Sequence, residues 1–281
     1  MKKIVVIGGG TMGLDVAQCF ARSGFVAVVR STSQASIDKH QAKLAKSLDK
    51  LVAKGRMDEP TRDMILQNLQ FSLDINTCAD ADLVLEAAPE NIEIKKDLFA
   101  QLDAICKEDA VLASNTSTIP ITQIAAFTKR PERVVGMHFF NPATVMKLVE
   151  IIRAEQTAQE TYDAVYEMTL AIGKTPVEVQ DAPGFVVNKV LIPMINEAID
   201  LVYTGVASPE DVDQAMKLGA NHPMGPIALG DLIGLDVCLA IMDTLFSETH
   251  DPKYKASLLL RKMVRAGRLG RKSGRGFYDY T

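Results

Sequence analysis

Residues 3 to 13 read KIVVIGGGTMG, a short apolar run that passes directly into a cluster of glycines. The run is too short for a helix and rich in β-branched residues, so it reads as a strand. Gly8, Gly10 and Gly13 then fit the spacing G-x-G-x-x-G, and residues 11 to 23 carry a helical pattern. In that setting each glycine has a physical reason. The first allows a tight turn, the second lets backbone approach a pyrophosphate, and the third lets helix pack close on strand. The helix start, with Thr11 and Met12 in its first turn, offers N–H groups and the positive end of its dipole to phosphate. A glycine-rich turn with no ligand is the competing reading. The stretch predicts an α/β domain that binds a dinucleotide.

Outward from this point, FVAVVR (25–30) reads as a second strand. A polar helical stretch follows, roughly 34 to 68, broken at Gly55 and Pro60. It is too long for one crossover helix and reads as an inserted helical hairpin. ADLVLEAA (81–88), AVLASN (110–115) and RVVGMHFF (133–140) are further strand candidates. KLVEII (147–152) and TPVEVQ (175–180) add two more, with a helix between them. Strands alternating with helices predict a parallel, Rossmann-like sheet.

After DAPGFVVN the pattern is helical, with no convincing strand. ASPEDVDQAM opens with Ser208 as cap, Pro209 in the first turn and Asp211 three residues past the cap. LIGLDVCLAIMDTLF (232–246) is apolar on more than one face, which suits a helix buried in a bundle or at a subunit interface. The expected division is a dinucleotide-binding domain over 1–183 and a helical domain over 184–281.

The chain has 281 residues, 47% hydrophobic and 23% charged, with a net charge of −4. This is an ordinary globular composition and argues against a nucleic-acid binder. No run of eighteen apolar residues is present, so no membrane span is expected. The start MKKIVVIGGG is a poor secretory signal, because its apolar run enters glycines at once. Cys19, Cys78, Cys106 and Cys238 form no C-x-x-C pair or metal-ligand cluster, so no metal is expected. Buried inert thiols in a reducing cytoplasm are the default. The basic stretch from Arg261 to Arg275 lacks interleaved aromatics and reads as a solvated helix and loop.

VVRSTSQ (28–34) lies about twenty residues beyond the glycines, where a dinucleotide site places an acid on the ribose hydroxyls of NAD. Here there are Arg30, Ser31, Thr32 and Ser33 instead. Without the acid a 2′-phosphate is not repelled, and the hydroxyls, backbone donors and guanidinium can receive it. NADP(H) is therefore the favoured cofactor and NAD(H) the second. A neutral turn indifferent to both is the plainer reading.

Of the four histidines, His40 and His250 sit in polar stretches, and His222 in GANHPMGP reads as a loop residue with local hydrogen bonds. His138 ends an apolar strand near the expected carboxyl edge of the sheet, where ligands of such folds bind. A hairpin centred near Thr144 sets it beside Glu150. A carboxylate beside an imidazole fixes its tautomer and supports its charged form, as a general acid–base needs. A buried pair that only braces the hairpin fits the spacing equally well.

GGGTMG, SNTSTI, GMHFFNPATVMKLVEII, DAPGFVVNKVLIPMINEAI, AMKLGANHPMGP and GRKSGRGFYDY together resemble the 3-hydroxyacyl-CoA dehydrogenase family, most closely its bacterial 3-hydroxybutyryl-CoA branch. The resemblance runs from end to end, with the blocks in the family order. It implies a Rossmann-like domain, a helical dimerisation domain, and interconversion of acetoacetyl-CoA and (3S)-3-hydroxybutyryl-CoA. Carried onto this chain, it makes His138 the acid–base and Glu150 its partner, with Ser117 and Asn188 on the 3-oxygen of the substrate. Asn115, Ser117, Asn141, Glu90 and Lys95 match cofactor-contacting positions, and Ser47 and Lys54 match coenzyme A contacts. It also implies a homodimer or a multiple of dimers. Ser31 departs from the Asp of NAD-using members. Two rivals stay open: a dehydrogenase of another small hydroxy acid, and a non-catalytic dinucleotide-binding protein.

Overall fold

The computed structural model describes residues 1–280. It divides into two compact units, Met1–Asp181 and a second that begins at Ala182.

In the first unit β1 (Lys3–Ile7) leads through the glycine turn into α1 (Thr11–Arg22) and β2 (Val26–Arg30). The long polar stretch folds as α2 (Gln34–Ala53) and α3 (Glu59–Asn68), the expected hairpin. Ser33 caps α2 by accepting from the Ser36 N–H, and Asp58 caps α3 by accepting from the Thr61 N–H. Next come β3 (Leu69–Ser72), β4 (Leu83–Glu86), α4 (Ile92–Ile105), β5 (Val111–Ser114), α5 (Ile121–Ala125) and β6 (Val134–Phe139). β7 (Leu148–Arg153), α6 (Gln159–Ala171) and β8 (Thr175–Gln180) complete the unit. The eight strands lie in the order β3-β2-β1-β4-β5-β6-β7-β8. All neighbours are parallel except β6 and β7.

The first six strands have the doubly wound Rossmann order, which reverses between β1 and β4 and opens a crevice at their carboxyl ends. β4, β5 and β6 are buried along their whole length, as strands covered on both faces must be. β8 is the edge, and it tolerates Pro176 because an edge strand need not donate on its outer side. Val6, Phe20, Val29, Leu85, Ala113, Met137 and Val149 belong to one core that α1 closes from one side.

β3 was not among the expected strands. α3 runs into it with no intervening loop, Asn68 ending the helix and Leu69 beginning the strand, so no turn residue announces it.

The second unit is helical: α7 (Val187–Tyr203), α8 (Pro209–Gly219), α9 (Pro226–Ile233), α10 (Leu235–Thr249) and α11 (Leu258–Arg265). Ser208 caps α8 by accepting from the Asp211 N–H at 3.1 Å, while its hydroxyl donates to Asp211 Oδ2 at 2.8 Å. The apolar stretch 232–246 is not one helix. Gly234 sits at φ +107°, a conformation that L side chains rarely adopt, and the chain breaks there between α9 and α10. Leu235, Cys238, Ile241, Met242 and Leu245 enter a core with Ile195, Ile199 and Leu260. The basic stretch is solvated and paired within its own unit, Arg261 to Asp243, Lys272 to Asp236 and Arg275 to Asp279. Among the described residues no helix is long and apolar enough to cross a membrane.

Candidate active site

The glycine turn has the geometry that phosphate needs. Gly8 lies at φ +106°, and a Cβ there would stand 2.5 Å from the Ala87 carbonyl oxygen beyond the end of β4. A Cβ on Gly13 would stand 1.9 Å from the Gly8 carbonyl oxygen, so only glycine lets α1 sit this close to the turn. At Gly10, the residue before α1, an added Cβ would meet nothing within 4 Å, and no side chain caps the helix. The N–H groups of Thr11, Met12 and Gly13 thus begin the helix without a side-chain acceptor, facing the crevice. A dinucleotide's diphosphate fits this set.

His138 and Glu150 are register partners across the antiparallel β6–β7 pair. His138 Nδ1 lies 2.7 Å from Glu150 Oε2, and both side chains are buried. Its other nitrogen, Nε2, lies 3.2 Å from Ser117 Oγ. The carboxylate assigns the proton to Nδ1, which leaves Nε2 as the atom that exchanges a proton with the hydroxyl side. The Phe140 ring packs against the imidazole with centroids 4.5 Å apart.

Ser117 is held by its loop. Asn115 Oδ1 accepts from the Phe139 N–H at 2.8 Å, tying the residue after β5 to β6. Glu90 Oε1 accepts from the Thr116 hydroxyl, the Ser117 and Thr118 amides and the Thr118 hydroxyl, at 2.5 to 3.1 Å. Burial pushes the Glu90 carboxyl up, but the Lys95 ammonium and the Thr116 and Thr118 hydroxyls outweigh it and hold its pKa below the usual value.

Behind this loop lies Glu86, a residue the sequence did not mark. It is fully buried at the end of β4. Lys95 Nζ donates to both its oxygens at 2.7 and 2.8 Å, Ser114 Oγ donates at 2.6 Å, and the Ala88 amide at 2.7 Å. Lys95 reaches Glu90 Oε2 as well, at 3.2 Å. With 1% of its side chain accessible, Lys95 acts on the crevice through these carboxylates.

Arg30 ends β2, and Ser31 follows it, buried. Neither Arg30 Nε nor Ser31 Oγ has a hydrogen-bond partner among the described residues. Thr32 beside them is exposed. Ser47 and Lys54 are exposed on α2 and at its end. Asn141 is exposed and precedes Pro142 through a cis bond. Asn188 lies in the first turn of α7, half-buried in the second unit. The structure therefore gathers His138, Glu150, Ser117, Glu90, Lys95 and Asn115 into one hydrogen-bonded set within the first unit. Ser47, Lys54 and Asn141 stand apart from that set, and Asn188 belongs to the second unit.

Residues 3–182 match the 3-hydroxyacyl-CoA dehydrogenase NAD binding domain, and residues 184–280 match the C-terminal domain of the same family. The chain is 54% identical to 3-hydroxybutyryl-CoA dehydrogenase of Clostridioides difficile over 279 residues, 99% of each chain. It is 50% identical to a probable 3-hydroxybutyryl-CoA dehydrogenase of Bacillus subtilis, over 100% of this chain and 98% of that one. Among solved structures, (S)-3-hydroxybutyryl-CoA dehydrogenase from Ralstonia eutropha superposes with a TM-score of 0.96 at 46% identity, covering 100% of this chain and 99% of that one. With both family domains matched in order along nearly the whole chain, this protein belongs to the 3-hydroxyacyl-CoA dehydrogenase family and is a nicotinamide-dependent oxidoreductase.

Proposed function

We propose that the chain interconverts acetoacetyl-CoA and (3S)-3-hydroxybutyryl-CoA, with NADP(H) favoured over NAD(H). The observation that carries the reaction is the relay Glu150–His138–Ser117, a buried carboxylate, an imidazole and a hydroxyl in hydrogen-bond contact. The names of the relatives support the substrate. The cofactor supplies the hydride in reduction and takes it up in oxidation.

In the reductive direction His138, protonated on both nitrogens, gives the Nε2 proton to the oxygen developing negative charge at C3. Glu150 keeps the Nδ1 proton in place and balances the ring's charge before transfer. Ser117 Oγ and Asn188 add hydrogen bonds that strengthen as charge builds on that oxygen. Oxidation reverses the path, and neutral His138 takes the hydroxyl proton at Nε2. Glu90 and Asn115 keep the Ser117 loop at the ring while Asn141 helps hold the cofactor.

The hairpin of α2 and α3 receives the nucleotide end of coenzyme A, through Ser47 and Lys54, about two helical turns apart on one face. Lys54→Ala should raise KM for acetoacetyl-CoA far more than for a truncated thioester without the nucleotide; equal effects would remove the hairpin from the substrate site. The protein acts in the cytoplasm as a homodimer or a multiple of dimers. Val190, Val206 and Leu218 in the helical unit are more than two-thirds exposed, which supports an interface there. Light scattering at micromolar concentration should give about twice the 30.6 kDa chain mass or a multiple; a clean monomer would refute it.

The preference for NADP(H) rests on Ser31, which removes the acid that would repel a 2′-phosphate. One charge-assisted hydrogen bond, ~1.5–3 kcal/mol, would favour NADPH by roughly tenfold to a few hundredfold in kcat/KM, and a second would add to that. Absorbance at 340 nm with acetoacetyl-CoA and each reduced nicotinamide in turn tests both parts. Oxidation of neither cofactor defeats the reaction, and NADH used as efficiently as NADPH defeats the preference.

A further inference from the structure

His40 looks like an ordinary polar helix residue in the sequence, yet the fold brings it to the glycine turn. A Cβ built on Gly9, between the first two glycines of the fingerprint, would lie 2.6 Å from Ser31 Oγ and 2.8 Å from His40 Nδ1. The serine hydroxyl and the imidazole nitrogen therefore converge on one point over the turn. The missing side chain at Gly9 is what lets both groups close on the turn, since a Cβ there would collide with them.

Two features say that the pair is placed to meet a ligand lying above the turn. Ser31 is 3% exposed and its hydroxyl has no hydrogen-bond partner among the described residues. A buried polar group without a partner is costly, and folded proteins keep few of them. Ser31 also stands where doubly wound folds present the residue that meets the ribose 2′ position. The surrounding charge is positive. Burial first, then Lys39 and Lys43, holds the His40 pKa below the usual histidine value. Ser36 Oγ, 3.4 Å from His40 Nδ1, is the ring's neighbour one turn back on α2. A neutral imidazole can still donate one N–H, and the two lysines supply the field that an anion needs.

We propose that His40 is a specificity-determining residue which, with Ser31, forms the seat for the 2′-phosphate of NADP(H) over Gly9. This rests on the cofactor reading given above and adds a residue to it. Arg30, whose Nε is likewise buried without a partner, backs the seat from the end of β2. The hydrogen bond from His40 distinguishes a phosphate from a bare hydroxyl, because only the phosphate extends from the ribose and carries charge.

The test is binding without catalysis. 2′,5′-ADP and 5′-AMP are titrated by calorimetry into the full-length protein and into His40→Ala, His40→Arg and Ser31→Asp. The wild-type protein should bind 2′,5′-ADP at least tenfold more tightly than 5′-AMP. His40→Ala should weaken 2′,5′-ADP by about tenfold, the order expected for one lost charge-assisted hydrogen bond, and leave 5′-AMP within twofold. His40→Arg should retain the selectivity, and Ser31→Asp should abolish it. If the wild-type protein prefers 2′,5′-ADP but His40→Ala loses nothing, or loses both ligands equally, the role of His40 is overturned while the cofactor preference stands. If the wild-type protein binds both ligands equally, the cofactor preference itself falls and the seat with it.

Discussion

His138–Glu150 and Lys95–Glu86 are both buried pairs on the sheet of the first unit, and they differ in what the basic group faces. Lys95 directs its ammonium at carboxylate oxygens only, two on Glu86 and one on Glu90, which matches its three N–H bonds. Glu86 is equally saturated, by Lys95, Ser114 and the Ala88 amide. His138 instead turns one nitrogen to a carboxylate and the other to a hydroxyl on the Ser117 loop. A saturated pair can only hold its neighbours. An imidazole between an acid and a hydroxyl can pass a proton. Both pairs are needed, since the saturated one anchors, through Glu90, the loop that carries the hydroxyl of the other.

The sharpest break of this comparison is at the imidazole. His138→Gln keeps a polar partner for Glu150 but cannot exchange a proton, so kcat should fall by ~10²–10⁴, the usual contribution of a positioned acid–base group. Cofactor binding, followed by nicotinamide fluorescence, should be nearly intact. A variant that keeps more than about a tenth of wild-type kcat places the chemistry elsewhere.

At the saturated pair the loss should appear as stability. Lys95→Met leaves Glu86 buried without its cation, which costs about 3–5 kcal/mol when one partner of a buried pair is removed. Urea unfolding measures this directly. The double variant Glu86→Gln with Lys95→Met should recover part of the loss, because no buried charge is left behind. If the single variant unfolds within about 1 kcal/mol of wild type, the pair is not the anchor described.

The same contrast explains what the sequence could and could not reveal. The hairpin around Thr144 is local, so counting residues from His138 reaches Glu150, and the strand register agrees. The glycine fingerprint is local too. Glu86 and Lys95 are nine residues apart, one at a strand end and one in a helix. A Glu closing LVLE looks like a strand leaving the core, and nothing in its neighbours reports that it is fully buried. His40 is hidden in the sequence for the same reason, because its approach to Gly9 depends on how α2 returns over the turn. Gly234 was visible but its positive φ was not, and a glycine within an apolar run is compatible with one continuous helix. Distance along the chain, more than residue type, separated the legible contacts from the illegible ones.

The opposite edge of the sheet offers a third kind of pair and the smallest effect. Asp82, at the amino end of β4, accepts from the Lys2 and Lys3 amides and from Lys107 Nζ, with a quarter of its side chain open to solvent. Burial pushes its carboxyl up, but the Lys107 ammonium and the two amides win and bring the pKa down to about 2. In the unfolded chain an Asp titrates near 3.9. Because the folded value is the lower one, the stabilisation is fully present above pH ~4 and is lost as pH falls through about 2. The shift would convert to about 2 kcal/mol, and solvent screening of a partly open pair reduces that to roughly 1 kcal/mol. Asp82→Asn imitates the protonated acid. It should therefore lower stability by about 1 kcal/mol at pH 7, with the gap from wild type narrowing steadily below pH 4. Denaturant titrations of both proteins at pH 7 and pH 3 measure the two gaps. Equal gaps would mean that Asp82 acts through its shape and hydrogen bonds and not through its charge, and that the electrostatics of this edge contribute nothing to the fold.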